Sequence, residues 1–121
     1  MNKGHSNPFS NAFRGIVASY HTERNMKVHL VLGLLAVTLG VWMDLRASEW
    51  RWIGLCIALV FIAELANTAI ETLVDLVSPN DHPLAKKAKD AAAGAVLVAS
   101  GLAAVIGVSI FFPKVWTYFF G

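Results

Sequence analysis

The sequence predicts an all-α membrane protein, in which an N-terminal amphipathic surface helix precedes three transmembrane helices. Apolar residues make up 56% of its 121 residues, and the mean hydropathy is +0.57. Both values exceed what a small soluble fold needs. Three stretches carry no formal charge, at residues 28–43, 52–63 and 91–112. Because a bilayer core about 30 Å thick needs about 20 helical residues, each stretch predicts a span once its flanks are included.

The first predicted element is an amphipathic helix over about residues 8–22. Pro8 suits a first helical turn, and apolar side chains recur after it at helical spacing: Phe9, Phe13, Ile16, Val17 and Tyr20. Two placements fit this pattern. The helix can lie on the membrane surface and lead into the first span, or it can pack as a cover on neighbouring helices.

The three spans are predicted at about residues 25–43, 51–77 and 88–112. Residues 44–51 carry both charge signs beside tryptophans that favour the interface, so we expect a short loop there. The second span ends at a turn over residues 78–81, with Pro79 at its second position, and Pro83 restarts a helix. Pro113 is expected to begin an aromatic interfacial end.

Small residues recur at every fourth position of the third span: Ala91, Ala95, Ala99, Ala103 and Gly107. Such a seam allows helices to approach closely in lipid. Lysine and arginine residues are unevenly divided by the three spans. One side has Lys3, Arg14, Arg24, Lys27, Lys86, Lys87 and Lys89, and the other has Arg46, Arg51 and Lys114. The positive-inside tendency therefore predicts that the N-terminus and the 78–90 loop are cytoplasmic.

Several functions are disfavoured by composition. A net charge of +2, with no dense basic stretch, gives no sign of nucleic-acid binding. The lone Cys56 provides neither a disulfide framework nor paired metal thiolates. The sequence also lacks a Walker loop and a protein-kinase catalytic motif.

Polar residues share one face of the second span: Glu64, Asn67, Glu71 and Asp75. Carboxylates along an apolar helix are costly unless a cation meets them. Carboxylates and lysines at the rim of a hydrocarbon phase suit a site where a Mg²⁺-nucleotide meets a lipid. Glu23 and Glu71 can hold Mg²⁺, which usually takes only one or two protein carboxylates, and Lys89 can balance phosphate charge. Glu64, which lies deeper, can accept a proton from a lipid hydroxyl.

These motifs resemble the small prokaryotic integral-membrane diacylglycerol kinase family. The resemblance rests on Glu64-x-x-Asn67-x-x-x-Glu71-x-x-x-Asp75 followed by Ala88-Lys89-Asp90. Two further stretches resemble the Gram-positive branch of the family, whose members act as undecaprenol kinases. They are Glu23-Arg24-Asn25 with His29, and His82-Pro83-Leu84-Ala85-Lys86 continuing through residues 89–96.

The resemblance implies a homotrimer in the bacterial cytoplasmic membrane, with active sites at subunit boundaries and facing the cytoplasm. It places the catalytic base at Glu64, which either transfers the proton or orients the hydroxyl. Nucleotide-metal carboxylates fall at Glu23 and Glu71. Further nucleotide contacts fall at Asn80, Asp81, His82, Lys89 and Asp90, and lipid contacts at Asn67, Asn25 and Trp42. An interfacial anchor explains Trp42 equally well, and a structural role or a solvated helix end suits Asp75.

One departure from the family bears on the substrate. Ala93 stands where the Gram-negative enzymes carry a serine near the lipid headgroup, which favours a polyprenol over diacylglycerol. The expected activity is therefore Mg²⁺-dependent and ATP-dependent phosphorylation of undecaprenol to undecaprenyl phosphate at the cytoplasmic face. The alternatives are a diacylglycerol kinase, a small proton- or ion-conducting subunit that uses the acidic face, and a non-catalytic scaffold built on the alanine seam.

Overall fold

A computed structural model describes residues 7–121 as four α-helices: α1 (Pro8–Thr22), α2 (Arg24–Trp42), α3 (Ala47–Val77) and α4 (Pro83–Phe120). Residues 7–121 contain no strand. The helices α2, α3 and α4 are each long and apolar enough to cross a membrane. The predicted all-α membrane fold class is therefore confirmed.

Helix α1 begins at Pro8, and the side chain of Asn7 accepts hydrogen bonds from the backbone N–H groups of Phe9 and Ser10. Its apolar side chains are not buried by the chain itself: Phe9 is 85% exposed and Phe13 is 66% exposed. Within the described residues, α1 therefore does not use this face to cover the other helices. The exposed apolar face favours the membrane-surface placement.

The turn between α2 and α3 is shorter than the predicted 44–51 loop, because α3 already begins at Ala47. Asp44 adopts a positive φ of 53°, and its N–H donates to the Val41 carbonyl. The Leu45 N–H donates to the Gly40 carbonyl, which completes a Schellman motif. Leu45 is buried, so this tight turn also places an apolar side chain in the core.

Helices α3 and α4 form an antiparallel pair with an ion pair towards each end. Lys89 Nζ lies 2.5 Å from Asp75 Oδ1 at the end near the 78–82 connection. Lys114 Nζ lies 3.2 Å from Glu49 Oε1 at the other end. These two contacts fix the relative depth of the side chains on the two helices.

The third span was expected to reach its interfacial end at Pro113, but α4 continues through this proline to Phe120. A proline removes one backbone donor from a helix and usually bends or ends it. Neighbouring contacts hold the last turns here. Lys114 pairs with Glu49, the Trp116 ring packs 4.7 Å from that of Phe120, and the Tyr118 ring packs 5.2 Å from that of Trp42.

The small-residue seam of α4 has two different environments. Ala91 and Ala95 are exposed, whereas Ala99, Ala103 and Gly107 are half-buried. Ala103 and Gly107 line a cavity of about 480 Å³ between α2, α3 and α4. The part of the seam from Ala99 to Gly107 therefore faces the chain's own helices, whereas Ala91 and Ala95 face outwards.

Candidate active site

Glu64 is the most deeply buried acidic residue of the described chain, with only 1% of its surface exposed. It continues the buried face of α3, whose buried residues are Glu49, Ile53, Cys56, Val60, Glu64 and Asn67. Across this face lies α2, and His29 Nε2 is 3.5 Å from Glu64 Oε1. Within residues 7–121, Glu64 Oε1 has no hydrogen-bond partner. A buried acceptor without a donor is rare in proteins and marks a place where a ligand can bind.

Asn67 lies about one helical turn beyond Glu64 on the same face of α3. It is 8% exposed, and its Oδ1 atom is likewise buried without a hydrogen-bond partner in the described chain. A carboxamide offers both donors and an acceptor, whereas an ionised carboxylate only accepts. Together the two side chains can receive and orient a hydroxyl group.

Glu23 and Glu71 are both half-buried, and both lie near enough to Glu64 for their charges to repel its carboxylate. Glu23 occupies the junction between α1 and α2, and Glu71 lies about 10 Å along α3 from Glu64, at 1.5 Å per residue. Neither forms an ion pair with another residue between 7 and 121. Two carboxylates without a basic partner in the described chain fit a divalent cation that completes its shell with water and phosphate oxygens.

The same region does not provide a metal cage made only of protein groups. Residues 7–121 contain no group of three or more His, Cys, Asp or Glu side chains arranged to hold a metal ion. Mg²⁺ does not require one, since it usually keeps several waters and binds through one or two carboxylates together with substrate phosphates. Glu23 and Glu71 are the residues that would hold it.

The predicted nucleotide residues come together around the connection between α3 and α4. A cavity of about 560 Å³ is lined by Asp75, the 78–83 segment, Ala85, Lys86, Lys89 and Asp90. Lys89 is paired with Asp75, and Lys86 is paired with Asp90. The ammonium groups of both lysines are thus already placed beside an open polar cavity, where phosphate oxygens can reach them.

His82 and Asn80 have visible structural tasks in this cavity. His82 Nδ1 accepts a hydrogen bond of 3.1 Å from the Leu84 N–H and so caps the start of α4. The Asn80 backbone carbonyl accepts a 2.9 Å hydrogen bond from the Ser78 hydroxyl. Asp75, for which a structural role or a solvated helix end was expected, anchors Lys89 while remaining exposed.

The two predicted lipid contacts on α2 lie apart from each other. Asn25 is exposed in the first turn of α2, on the same side of the bundle as Glu23. Trp42 lies thirteen residues beyond His29, which is about 20 Å along the helix, and it packs against Tyr118. Trp42 therefore does not reach the Glu64 site, and only an extended lipid chain could contact both.

Two features of this region were not anticipated. The contact between His29 and Glu64 was missed, although His29 is the one titratable residue in the 28–43 stretch. The pairing of Asp75 with Lys89 was also missed. Both contacts join residues on different helices, and helical periodicity alone does not give the register between helices.

Comparison with known proteins places this chain in a family. Residues 10–111 match the model of the family described as prokaryotic diacylglycerol kinase. The undecaprenol kinase of Bacillus subtilis (strain 168) is 46% identical over 106 residues, covering 88% of this chain and 86% of that protein. The diacylglycerol kinase of Synechocystis sp. is 40% identical over 106 residues, covering 87% of this chain and 61% of that protein.

A more distant relative is the diacylglycerol kinase of Escherichia coli (strain K12), 31% identical over 108 residues that cover 89% of this chain and 85% of that protein. The match to the family model extends from α1 to near the end of α4, so it includes every side chain of the site. The predicted family is confirmed. The chain belongs to the prokaryotic diacylglycerol kinase family and is a membrane lipid kinase.

Proposed function

We propose that this lipid kinase transfers the γ-phosphate of ATP to undecaprenol at the cytoplasmic face of the membrane. The observation that carries the proposal is the Glu64 carboxylate, which is buried beside Asn67 in an apolar bundle, with His29 as its one ion-pairing neighbour in the described chain. A lysine-bearing polar cavity lies farther along α3, at its connection to α4. This arrangement provides a dry place for a lipid hydroxyl at Glu64 and a wet place for a nucleotide about 16 Å farther along α3, with Glu71 between them. The similarity to an undecaprenol kinase supports the choice of lipid.

In the proposed reaction, Glu64 accepts the proton of the lipid hydroxyl as the hydroxyl oxygen attacks the γ-phosphorus, and the bond from the γ-phosphorus to the β,γ-bridging oxygen breaks to release ADP. Asn67 orients that hydroxyl. Lys89 and Lys86 draw the phosphates into the cavity at the α3–α4 connection. Mg²⁺ held by Glu23 and Glu71 would neutralise the charge on the transferred phosphoryl group. Positioning and electrostatics therefore supply most of the rate enhancement, with little covalent work for the protein.

The nucleotide contacts proposed for Asn80, Asp81, His82 and Asp90 follow from their position around the same cavity. Asn25 is proposed to contact the lipid headgroup, because it is exposed near the rim of the bundle. Trp42 is proposed to contact the distal lipid chain or to anchor α2 at the opposite interface. The cytoplasmic orientation rests on the excess of lysine and arginine on the side of the bundle that carries this site.

We further propose that the chain works as a homotrimer. Large apolar side chains on α2, α3 and α4 remain exposed in the single chain, including Leu34, Leu73, Leu97 and Val105. Lipid or neighbouring subunits must cover these side chains. Chemical cross-linking in nanodiscs should stop at a trimeric species, and a solely monomeric product would contradict this assembly.

Diacylglycerol is the second candidate substrate, because two of the relatives described above are diacylglycerol kinases. The test is phosphotransfer from radiolabelled ATP by the purified full-length protein in nanodiscs that contain undecaprenol or dioleoylglycerol at the same mole fraction. We expect Mg²⁺-dependent labelling of undecaprenol to exceed that of dioleoylglycerol. Labelling confined to dioleoylglycerol would overturn the substrate, and labelling of neither lipid would overturn the proposed function.

The ion-conducting alternative gains no support from the helix bundle. The acidic face of α3 does not continue across the membrane, because residues 52–63 carry no charged side chain. The same purified protein, reconstituted into liposomes, should therefore show no proton flux above that of protein-free liposomes.

A further inference from the structure

His29 is the side chain that faces the buried carboxylate of Glu64 from the neighbouring helix. Its Nε2 atom is 3.5 Å from Glu64 Oε1, and the two side chains are 17% and 1% exposed. His29 lies on the second turn of α2, whereas Glu64 lies in the middle of α3. The contact therefore joins two transmembrane helices at the depth of the proposed catalytic base.

Within residues 7–121, no lysine or arginine forms an ion pair with Glu64. The Thr68 hydroxyl donates to the backbone carbonyl of Glu64 at 3.0 Å and does not serve its carboxylate. The lysines and arginines that form ion pairs between residues 7 and 121 pair with Glu49, Asp75 or Asp90. His29 is thus the nitrogen donor within reach of Glu64 Oε1.

His29 also lines a cavity that is mostly apolar. Its ring lies at the edge of the cavity of about 480 Å³ between α2, α3 and α4, whose lining includes Leu32, Val60 and Phe61. The polar side-chain groups of this lining besides His29 are the Ser100 hydroxyl and the Cys56 thiol. A histidine placed against hydrocarbon gains most from a single directed contact, because an unpaired polar group costs free energy there.

We propose that His29 is a positioning residue that holds the Glu64 carboxylate in its working orientation. An N–H at Nε2 that donates to Oε1 fixes the rotation of the carboxylate, so that its other oxygen is presented to the lipid hydroxyl. The separation of 3.5 Å exceeds the 2.7–3.2 Å usual for such a bond. Catalytic hydrogen bonds are often long without substrate and shorten in the reactive complex.

This inference rests on the proposed function, and its test compares two substitutions of His29. His29→Leu keeps the approximate size of the side chain but removes the donor, so kcat should fall roughly tenfold to a hundredfold, as for a lost hydrogen bond to a charged group. The KM for ATP should stay within twofold, because the nucleotide cavity lies beyond Glu71. His29→Gln, whose amide nitrogen can take the place of Nε2, should recover most of the lost kcat.

His21→Leu is the matched control, because His21 is exposed on α1 and faces Tyr20. It should leave kcat unchanged. A role in packing alone would make His29→Leu and His29→Gln equally slow, or would lower the unfolding temperature of both without the selective loss of kcat. Wild-type kcat in His29→Leu, or a failure of His29→Gln to recover activity, would overturn the proposal.

A second measurement needs no turnover. When the histidines are labelled with nitrogen-15, the imidazole NMR signal of His29 should shift if Glu64→Gln removes the charged acceptor. The His21 signal should stay in place. An unchanged His29 signal would contradict the contact. If the wild-type protein phosphorylates neither lipid, the proposed function fails, and this spectrum still decides whether His29 binds Glu64.

Discussion

Residues on one face of α3 meet different environments according to their depth. Glu64 is 1% exposed, and Asn67 is 8% exposed. Glu71 is half-buried, and Asp75 has an exposed side chain that holds Lys89. The same carboxylate chemistry is therefore proposed to serve two tasks, proton acceptance in a dry site and metal binding at the rim, while Asp75 anchors a lysine in water.

Glu64→Gln keeps the size and polarity of the side chain but removes a carboxylate that can accept a proton. We expect kcat to fall by roughly 10²–10⁴-fold, the usual contribution of a positioned general base, while ATP affinity stays within twofold. Phosphotransfer and equilibrium ATP binding to the purified protein measure the two effects. Full activity in Glu64→Gln would favour the scaffold alternative.

Lys89→Gln should weaken ATP binding, because Lys89 lines the polar cavity and Asp75 holds it in place. We expect the dissociation constant for ATP to rise roughly tenfold, as for the loss of one charge-assisted contact to phosphate. Lys87→Gln is the matched control, since Lys87 is exposed and does not line this cavity. Equal effects of the two substitutions would argue against a specific phosphate contact at Lys89.

At the scale of the elements, the α2–α3 hairpin depends on close approach at a single glycine. A Cβ atom at Gly40 would lie 2.6 Å from Trp50 Cη2 and 2.9 Å from Leu45 Cδ1. Trp50 and Leu45 lie on α3 and in the turn, so Gly40 allows both to close over the end of α2. By contrast, a Cβ atom at Gly33 would meet Ile57 at 3.8 Å, which is an ordinary contact.

Gly40→Ala should therefore destabilise the hairpin by about 1–3 kcal/mol, because overpacking outweighs the better helix propensity of alanine. Gly33→Ala should be neutral or stabilising by up to about 1 kcal/mol. Denaturation followed by circular dichroism in detergent compares the two variants. Equal stability of Gly40→Ala and Gly33→Ala would contradict the packing of Trp50 on Gly40.

On the scale of the whole molecule, the site exists only because the helices are brought together at one end of the bundle. Glu23 comes from the α1–α2 junction, Glu71 from α3, and Lys89 from α4. The Asp75–Lys89 and Glu49–Lys114 pairs hold α3 and α4 in register, and the His29–Glu64 contact links α2 to α3. No single helix carries a complete set of groups for phosphotransfer.

Glu71→Gln and Glu23→Gln should each raise the Mg²⁺ concentration for half-maximal activity by roughly tenfold, since each would remove one anionic ligand of the proposed shared site. Asp44→Asn is the control, because Asp44 is an exposed acid in the turn at the opposite end of α2. Binding of Mn²⁺, followed by electron paramagnetic resonance, should weaken in the first two variants only. If neither substitution changed the Mg²⁺ requirement, the proposal that Glu23 and Glu71 hold the metal would be wrong.

Periodicity, charge and hydropathy determine the helical membrane fold, the three spans and the acidic face of α3, because these properties depend on residues within one helix. The family was likewise readable from the motif between Glu64 and Asp90. Helix ends were less predictable. Contacts of Lys114 and Tyr118 with α3 and α2 stabilise the part of α4 that follows Pro113. A Schellman motif at Asp44 shortens the loop before α3.

Only the tertiary structure decided which side chains meet across helices. Helical spacing places Glu64 on a face of α3 but does not say which residue of α2 lies opposite, because that register depends on packing such as Trp50 on Gly40. The same register brings His29 to Glu64 and leaves Trp42 about 20 Å farther along α2. The sequence thus determined the chemistry available to this protein, and helix packing determined which of those groups share a site.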